Sequence, residues 1–125
     1  MASIDLLTND PNAKPVVAGD TIFTEGDAGE HAFVVIEGEV ELSVHGKPME
    51  MVRSGGIFGE MALIDDNPRA GTAVAVTETS LLCLDEKQFT RLVRESPDFA
   101  IILLRTVVKR VRQADRFGRQ IATEK

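Results

Sequence analysis

Turn-forming residues recur along the first two thirds of this chain too often for helices of ordinary length. Gly19-Asp20, Gly26-Asp27-Ala28-Gly29, Gly46-Lys47-Pro48, Ser54-Gly55-Gly56 and Thr77-Glu78-Thr79 cut it into short runs. Those runs are rich in β-branched and aromatic residues, the composition of strands. They are Pro15-Val16-Val17, Thr21–Thr24, Ala32–Ile36, Glu39–His45, Met49–Arg53, Ala70–Val76 and Ser80–Leu84. Glu39-Val40-Glu41-Leu42-Ser43-Val44-His45 alternates polar and apolar residues, which gives one wet face and one buried face. About eight short strands joined by tight turns fit a jelly-roll or flattened barrel.

After Asp85 the period changes. Asp85 is a good N-cap, and Phe89, Leu92 and Val93 follow at helical spacing until Ser96-Pro97 stops the helix. Ser96 then caps a second helix with Pro97 in its first turn, where a missing amide costs nothing. That helix is predicted to run to about Ile121, roughly 37 Å at ~1.5 Å per residue. Ala100, Leu104, Val107, Val111, Ala114 and Ile121, with Gly118 in the remaining slot, form a heptad-like seam. An apolar seam needs a cover, and a homodimer through this helix supplies one. The expected fold class is therefore mainly β with C-terminal α: an eight-stranded jelly-roll β-barrel over 14–85, a hinge helix over 86–96 and a long lid or dimer helix over 97–121. All of it reads as a single domain over 1–125, with residues 1–12 as a polar lead-in.

At 125 residues the chain can bury an ordinary core without staples. Its 43% hydrophobic and 27% charged composition is that of a water-soluble domain. No apolar run approaches the ~20 residues needed to span a bilayer. Met1-Ala2-Ser3-Ile4-Asp5 lacks the pattern of a secretory signal, and the lone Cys83 can form no internal disulfide, so the expected location is cytoplasmic, without membrane. Cys83, in Leu81-Leu82-Cys83-Leu84, reads as a small buried hydrophobe. The net charge of −6 is unevenly spread. Residues 105–119 carry Arg105, Lys109, Arg110, Arg112, Arg116 and Arg119 against Asp115 alone, whereas the first 104 residues hold seven basic and eighteen acidic residues. An acidic body repels phosphate except at a built site, so an arginine isolated within it gains meaning. The basic helix reads chiefly as a solvated face.

Such an arginine lies in Phe58-Gly59-Glu60-Met61-Ala62-Leu63-Ile64-Asp65-Asp66-Asn67-Pro68-Arg69-Ala70-Gly71-Thr72. A glycine turn is followed by a carboxylate, a short apolar helical stretch and an arginine set by a proline. Exposed amides after Gly59 and the Arg69 guanidinium suit a phosphodiester. An ionised Glu60 only accepts hydrogen bonds, which suits a sugar hydroxyl. The segment resembles the phosphate-binding cassette of the cyclic nucleotide-binding domain family, in the form FGE-x-AL-x(4)-PR-A. Ala18–Glu30 resembles that family's first hairpin and Phe33–Val40 its next strand pair, so the likeness covers most of the chain.

The resemblance implies a receptor module in signal transduction. It assigns Glu60 to the ribose 2′-hydroxyl, and Phe58, Gly59, Met61 and Ala62 to the surroundings of the ring. Arg69 and the amide of Ala70 take the exocyclic phosphate oxygens, and the long helix closes over the base. Family members that bind cGMP often carry Thr after the cassette arginine; Ala70 there favours cAMP, with cGMP as the alternative. Catabolite-activator relatives read adenine with two hydroxyl residues on the long helix. Here those slots hold Ala114 and Asp115, a departure from the pattern. Asp115 could accept from adenine or from guanine. Phe117 is either a cap on the base or a seam residue beside Ala114 and Ile121.

Family members usually carry an output module, for which this sequence has no room. The expectation is either a stand-alone module acting in trans on an effector the sequence does not identify, which is slightly favoured, or a piece excised from something longer. A jelly-roll metalloenzyme would need clustered ligands, but His31 and His45 fall on separate elements and read as surface or turn residues. No Ser-His-Asp or Cys-His constellation is present, so the chain reads as neither enzyme nor metalloprotein. Nucleic-acid or partner binding through the basic helix is the alternative role. It lacks aromatic stacking partners, since Trp and Tyr are both absent.

Overall fold

The computed structural model describes residues 13–124; for Ala114 and residues 116–124 it describes the helix but not the side chains. The strands are β1 (Ala13–Val16), β2 (Thr21–Phe23), β3 (Ala32–Glu37), β4 (Val40–Val44), β5 (Lys47–Val52), β6 (Ile57–Phe58), β7 (Thr72–Ala75) and β8 (Thr79–Leu84). The helices are α1 (Met61–Asp65), α2 (Glu86–Glu95) and α3 (Pro97–Glu124). One antiparallel sheet has the order β1-β8-β3-β6 and the other β2-β7-β4-β5. The mainly-β roll with C-terminal helices is as the sequence predicts, although the two sheets stay separate instead of closing into a barrel. Sequence reading missed β6, whose two residues between glycine turns are too few to show a period.

Side-chain alternation divides the core in two. Val35, Phe58 and Leu81 of the first sheet meet Val40, Val52 and Ala73 of the second between the layers. Their neighbours Ala32, Val34, Ile57, Leu82 and Leu84 face the other way, onto Phe89 of α2 and Phe99 and Leu103 of α3. The first sheet is thus buried on both faces, which explains why Ala32–Ile36 and Leu81–Leu84 are unbroken apolar runs.

The helices begin where their caps place them. Asp85 accepts from the Gln88 amide at 2.8 Å while the Gln88 side chain accepts from the Asp85 amide at 3.0 Å, a capping box. Ser96 is extended (φ −124°, ψ 100°), as a residue before proline prefers, so α2 ends at Glu95. Its hydroxyl accepts from the Phe99 amide at 3.2 Å and opens α3. Phe99 is fully buried and meets Phe89 edge-on at 6.0 Å, pinning the first turn of α3 to the roll.

The outer face of α3 differs from the expected seam. Ile101, Leu104, Val108 and Val111 are exposed, whereas Val107 packs against the core. Phe99, Leu103 and Val107 follow at four-residue steps, and that inward stripe claims Val107. Leu104 and Val111 remain outside as predicted, and Ala114 and Ile121 lie outside the described side chains.

Candidate functional site

Gly59, at the end of β6, has φ +76°, a conformation that favours glycine. A Cβ there would also lie 2.8 Å from Arg69 Nη1 and 3.1 Å from the Phe33 ring. The turn aims Glu60 inward, and α1 starts immediately after it. Glu60 occupies the N-cap position but makes no side-chain cap. The first amides of α1, those of Met61 and Ala62, have no intrahelical acceptor for geometric reasons.

Ten residues on, Arg69 folds back over the same turn. Its amide donates to the Asp27 carbonyl at 2.8 Å and its carbonyl accepts from Gly26 at 2.9 Å, which ties it to the β2–β3 loop. Nη1 donates to the Gly59 carbonyl and Nη2 to the His31 carbonyl, each at 2.8 Å. The guanidinium carbon lies 4.1 Å from the centre of the Phe23 ring, a cation–π geometry. Gly29 lets the loop approach this closely, since a Cβ there would sit 2.6 Å from Nε. Arg69 is only 7% exposed, and its Nε is a buried donor with no acceptor among the described residues. Burial pulls this guanidinium below the ordinary arginine value, against the opposing attraction of Glu60 and Asp27.

A second guanidinium enters from α3. Arg110 Nη1 donates to both oxygens of Glu60, at 2.6 and 2.7 Å. Its Nε and Nη2 reach Glu50 of β5 at 3.1 and 3.3 Å, and Nη2 also donates to the Ile57 carbonyl. Lys109 Nζ stands 3.7 Å from the same Glu50. Burial pulls the Arg110 guanidinium down, but Glu60 and Glu50 together outweigh it and hold it above its ordinary value. The sequence reading placed Arg110 in a solvated basic face. It lies eleven, seven and three residues after Phe99, Leu103 and Val107, on the inward stripe, and that spacing was the missed signal.

These groups wall a cavity of about 460 Å³. Gly59, Glu60, Met61, Ala62, Arg69 and Ala70 all line it, so the structure brings together six of the seven cassette residues. Phe58 does not; it is fully buried between the sheets and stacks on Phe33 at 5.1 Å. The facing wall is Leu42, Val44, Met49 and Glu50, and α3 adds Arg110, Val111 and Gln113. Asp115, expected at the base, is exposed and not among the lining residues, while the Ala114 and Phe117 side chains lie outside the described ones. His45 sits at the β4–β5 turn (φ +52°) with Nδ1 3.1 Å from Glu25, and it too lines the cavity. Cys83 is half-buried, and burial raises its thiol.

Residues 13–96 match the family model for the cyclic nucleotide-binding domain. A cyclic nucleotide-gated potassium channel of Rhizobium etli is 39% identical over 95 residues, which is 76% of this chain and 26% of the channel. The cyclic AMP receptor protein of Thermus thermophilus is 34% identical over 102 residues, 78% of this chain and 47% of that protein. The chain therefore spans about a quarter to a half of these relatives. Among solved structures, cAMP-bound PfPKA-R superposes with a TM-score of 0.75 and 32% identity over 85% of this chain and 36% of that one. No helix among the described residues is long and apolar enough to cross a membrane.

Proposed function

The chain belongs to the cyclic nucleotide-binding domain family, and from that premise we propose that it is a regulatory receptor module for a cyclic nucleotide, cAMP before cGMP. The observation that carries the reading is Arg69. It is a buried cation whose terminal nitrogens meet only carbonyls, with no carboxylate in ion-pair reach among the described residues. A buried charge without a counter-ion is costly. A phosphodiester supplies one negative charge and acceptor oxygens at that point.

Each remaining role follows from chemistry. Glu60 has both oxygens on Arg110, yet a carboxylate offers about four acceptor sites, so it can still take a ribose 2′-hydroxyl. Arg110 pairs with both oxygens of that buried carboxylate and aims it. The orphan amides of Met61 and Ala62 and the amide of Ala70 suit the ring and its oxygens. Leu42, Val44, Met49 and Val111 provide apolar surfaces for the faces of a base. Ala70 offers a methyl group where a hydroxyl could assist guanine, which favours cAMP. This is binding chemistry, and the residues present suggest no reaction.

A ligand of about twenty heavy atoms at ~0.3 kcal/mol each gives roughly −6 kcal/mol, or tens of micromolar. Because α3 forms part of the cavity wall, a nucleotide that touches it favours the docked helix, and the population shifts accordingly. The exposed stripe Ile101, Leu104, Val108 and Val111 then presents or withdraws a surface, for a second copy of the chain or for an effector in trans. With Arg110 turned inward the basic face of α3 is weaker than the sequence suggested, so binding nucleic acid is the lesser reading.

Calorimetry with cAMP and cGMP at physiological salt tests the proposal. Binding of at least one, with a raised melting temperature, is expected. If neither shifts the melting temperature at millimolar concentration, the receptor reading fails.

A further inference from the structure

β2 departs from a regular strand at one point. Thr21 pairs with Val74 of β7 and Phe23 with Ala73, so two steps along β2 meet one step along β7. That is the count of a β-bulge, which re-aims the side chains beside it. Regular alternation would leave Phe23 on the exposed face that Thr21 occupies. Instead Ile22 and Phe23 both pack against the core between the sheets, and Phe23 reaches the cavity wall.

There its ring meets Arg69. The guanidinium carbon is over Phe23, 4.1 Å from the ring centre, and 5.6 Å from the centre of Phe33. Phe58, which does not itself line the cavity, backs the pair, with its ring centre 6.0 Å from that of Phe23 and 5.1 Å from that of Phe33. Gly59 makes room for this approach, since a Cβ there would stand 3.3 Å from the Phe23 ring.

Resting on the cyclic nucleotide reading above, we propose that Phe23 is a positioning residue for the anion site: its ring holds the Arg69 guanidinium in place without neutralising it. The balance of charge at Arg69 gives the ring that role. Burial outweighs the attraction of Glu60 and Asp27 at this guanidinium. Hydrogen bonds to the Gly59 and His31 carbonyls offset part of the desolvation but bring no counter-charge. Without a further attraction, a long side chain gains by turning out to water. A carboxylate at position 23 would supply that attraction, but it would satisfy Arg69 as Glu60 and Glu50 satisfy Arg110, and would compete with an incoming phosphate. An aromatic face attracts the cation through its quadrupole and leaves the charge uncancelled. The Nε donor stays without an acceptor among the described residues.

The test replaces Phe23 in the full chain with mono-, di- and trifluorinated phenylalanine, which nearly keep the shape of the ring while weakening its quadrupole stepwise. Titration calorimetry with cAMP and cGMP reads the affinity. Each fluorine should weaken binding about two- to threefold, and the trifluorinated ring about five- to thirtyfold, the range of a desolvated cation–π contact. Urea unfolding supplies the second readout. The trifluorinated ring should raise the unfolding constant severalfold in the wild-type background and less than about twofold in an Arg69→Ala background. That comparison separates the cation from the stacking on Phe33 and Phe58. A flat affinity across the fluorine series overturns the inference, even where Phe23→Leu binds poorly, because shape alone would then matter. Equal effects on unfolding with and without Arg69 overturn it as well. Should the wild-type chain bind neither nucleotide at millimolar concentration, the receptor reading fails and this inference goes with it.

Discussion

Two guanidinium groups are withdrawn from water at the same cavity, and the fold treats them in opposite ways. Arg110, delivered by α3, meets two carboxylates and a carbonyl, so its charge is neutralised within the protein. Arg69, delivered by the loop before β7, meets two carbonyls and an aromatic face, and one of its donors is left over. On the proposed reading, the difference separates a structural cation from a binding one. The first joins a helix to the roll, the second would take the ligand's phosphate, and each should fail in its own way when removed.

Removing Arg69 should have the largest effect on binding. With two charge-assisted bonds to phosphate at about 1.5–3 kcal/mol each, Arg69→Ala should weaken cyclic nucleotide binding by roughly a hundredfold or more in calorimetry. The fold itself should lose only about 1–2 kcal/mol in urea, since the carbonyls of Gly59 and His31 each lose one neighbour. A destabilisation larger than that of any Arg110 variant would reverse the comparison.

Arg110→Ala should act on the other axis. It strands Glu60, which is 1% exposed, and exposes the imbalance of Glu50, so about 3–5 kcal/mol of stability should go in urea unfolding. Adding Glu60→Gln should recover part of that loss, because a neutral amide tolerates the site without a cation. A double-mutant cycle reports it as a coupling of about 1–3 kcal/mol. Additive losses would mean that Arg110 and Glu60 do not act as a pair.

A smaller effect sharpens the role of the carboxylate. Glu60→Gln keeps the shape and an acceptor oxygen but gives up the charge. Affinity for cAMP should drop about fivefold, the difference between a charge-assisted and a neutral hydrogen bond, and affinity for its 2′-deoxy analogue should hardly change. Equal losses for both ligands would show that Glu60 serves only to hold Arg110.

The two regions were unequally legible in the sequence. The cassette is local: Gly59, Glu60, Pro68 and Arg69 lie within eleven residues, and their chemistry is set by a turn that glycine and proline announce. The strands were legible for the same reason, since Glu39–His45 alternates and Ala32–Ile36 is continuously apolar. Arg110 is not local to anything it touches, being fifty residues from Glu60 and sixty from Glu50. Among six basic residues on one helix its composition says nothing; only its phase relative to Phe99, Leu103 and Val107 marks it as inward-facing. The same phase error misplaced Val107 in the outer seam; the expectation at Ala114 and Asp115 came instead from alignment with relatives, and Asp115 is not among the residues that line the cavity. Phe58 was misjudged because its neighbour Gly59 reverses the chain, leaving Phe58 in the core and Glu60 at the site.

The outer stripe of α3 gives the smallest expected effect on the fold and a separate test of what the helix does. Ile101, Leu104, Val108 and Val111 are each about half exposed already, so covering them adds roughly 1 kcal/mol apiece. Association costs at least about 4 kcal/mol before any contact is gained, so this stripe alone supports only a weak, concentration-dependent dimer. Val111→Glu touches the exposed side of the helix and should change stability by no more than about 0.5 kcal/mol. In sedimentation equilibrium it should shift the concentration series toward monomer, since a charge opposite its own copy is disfavoured at the seam. An unchanged mass distribution would leave the stripe to an effector, and a nucleotide titration of the same variant would then show whether Val111 still serves the cavity from its inner side.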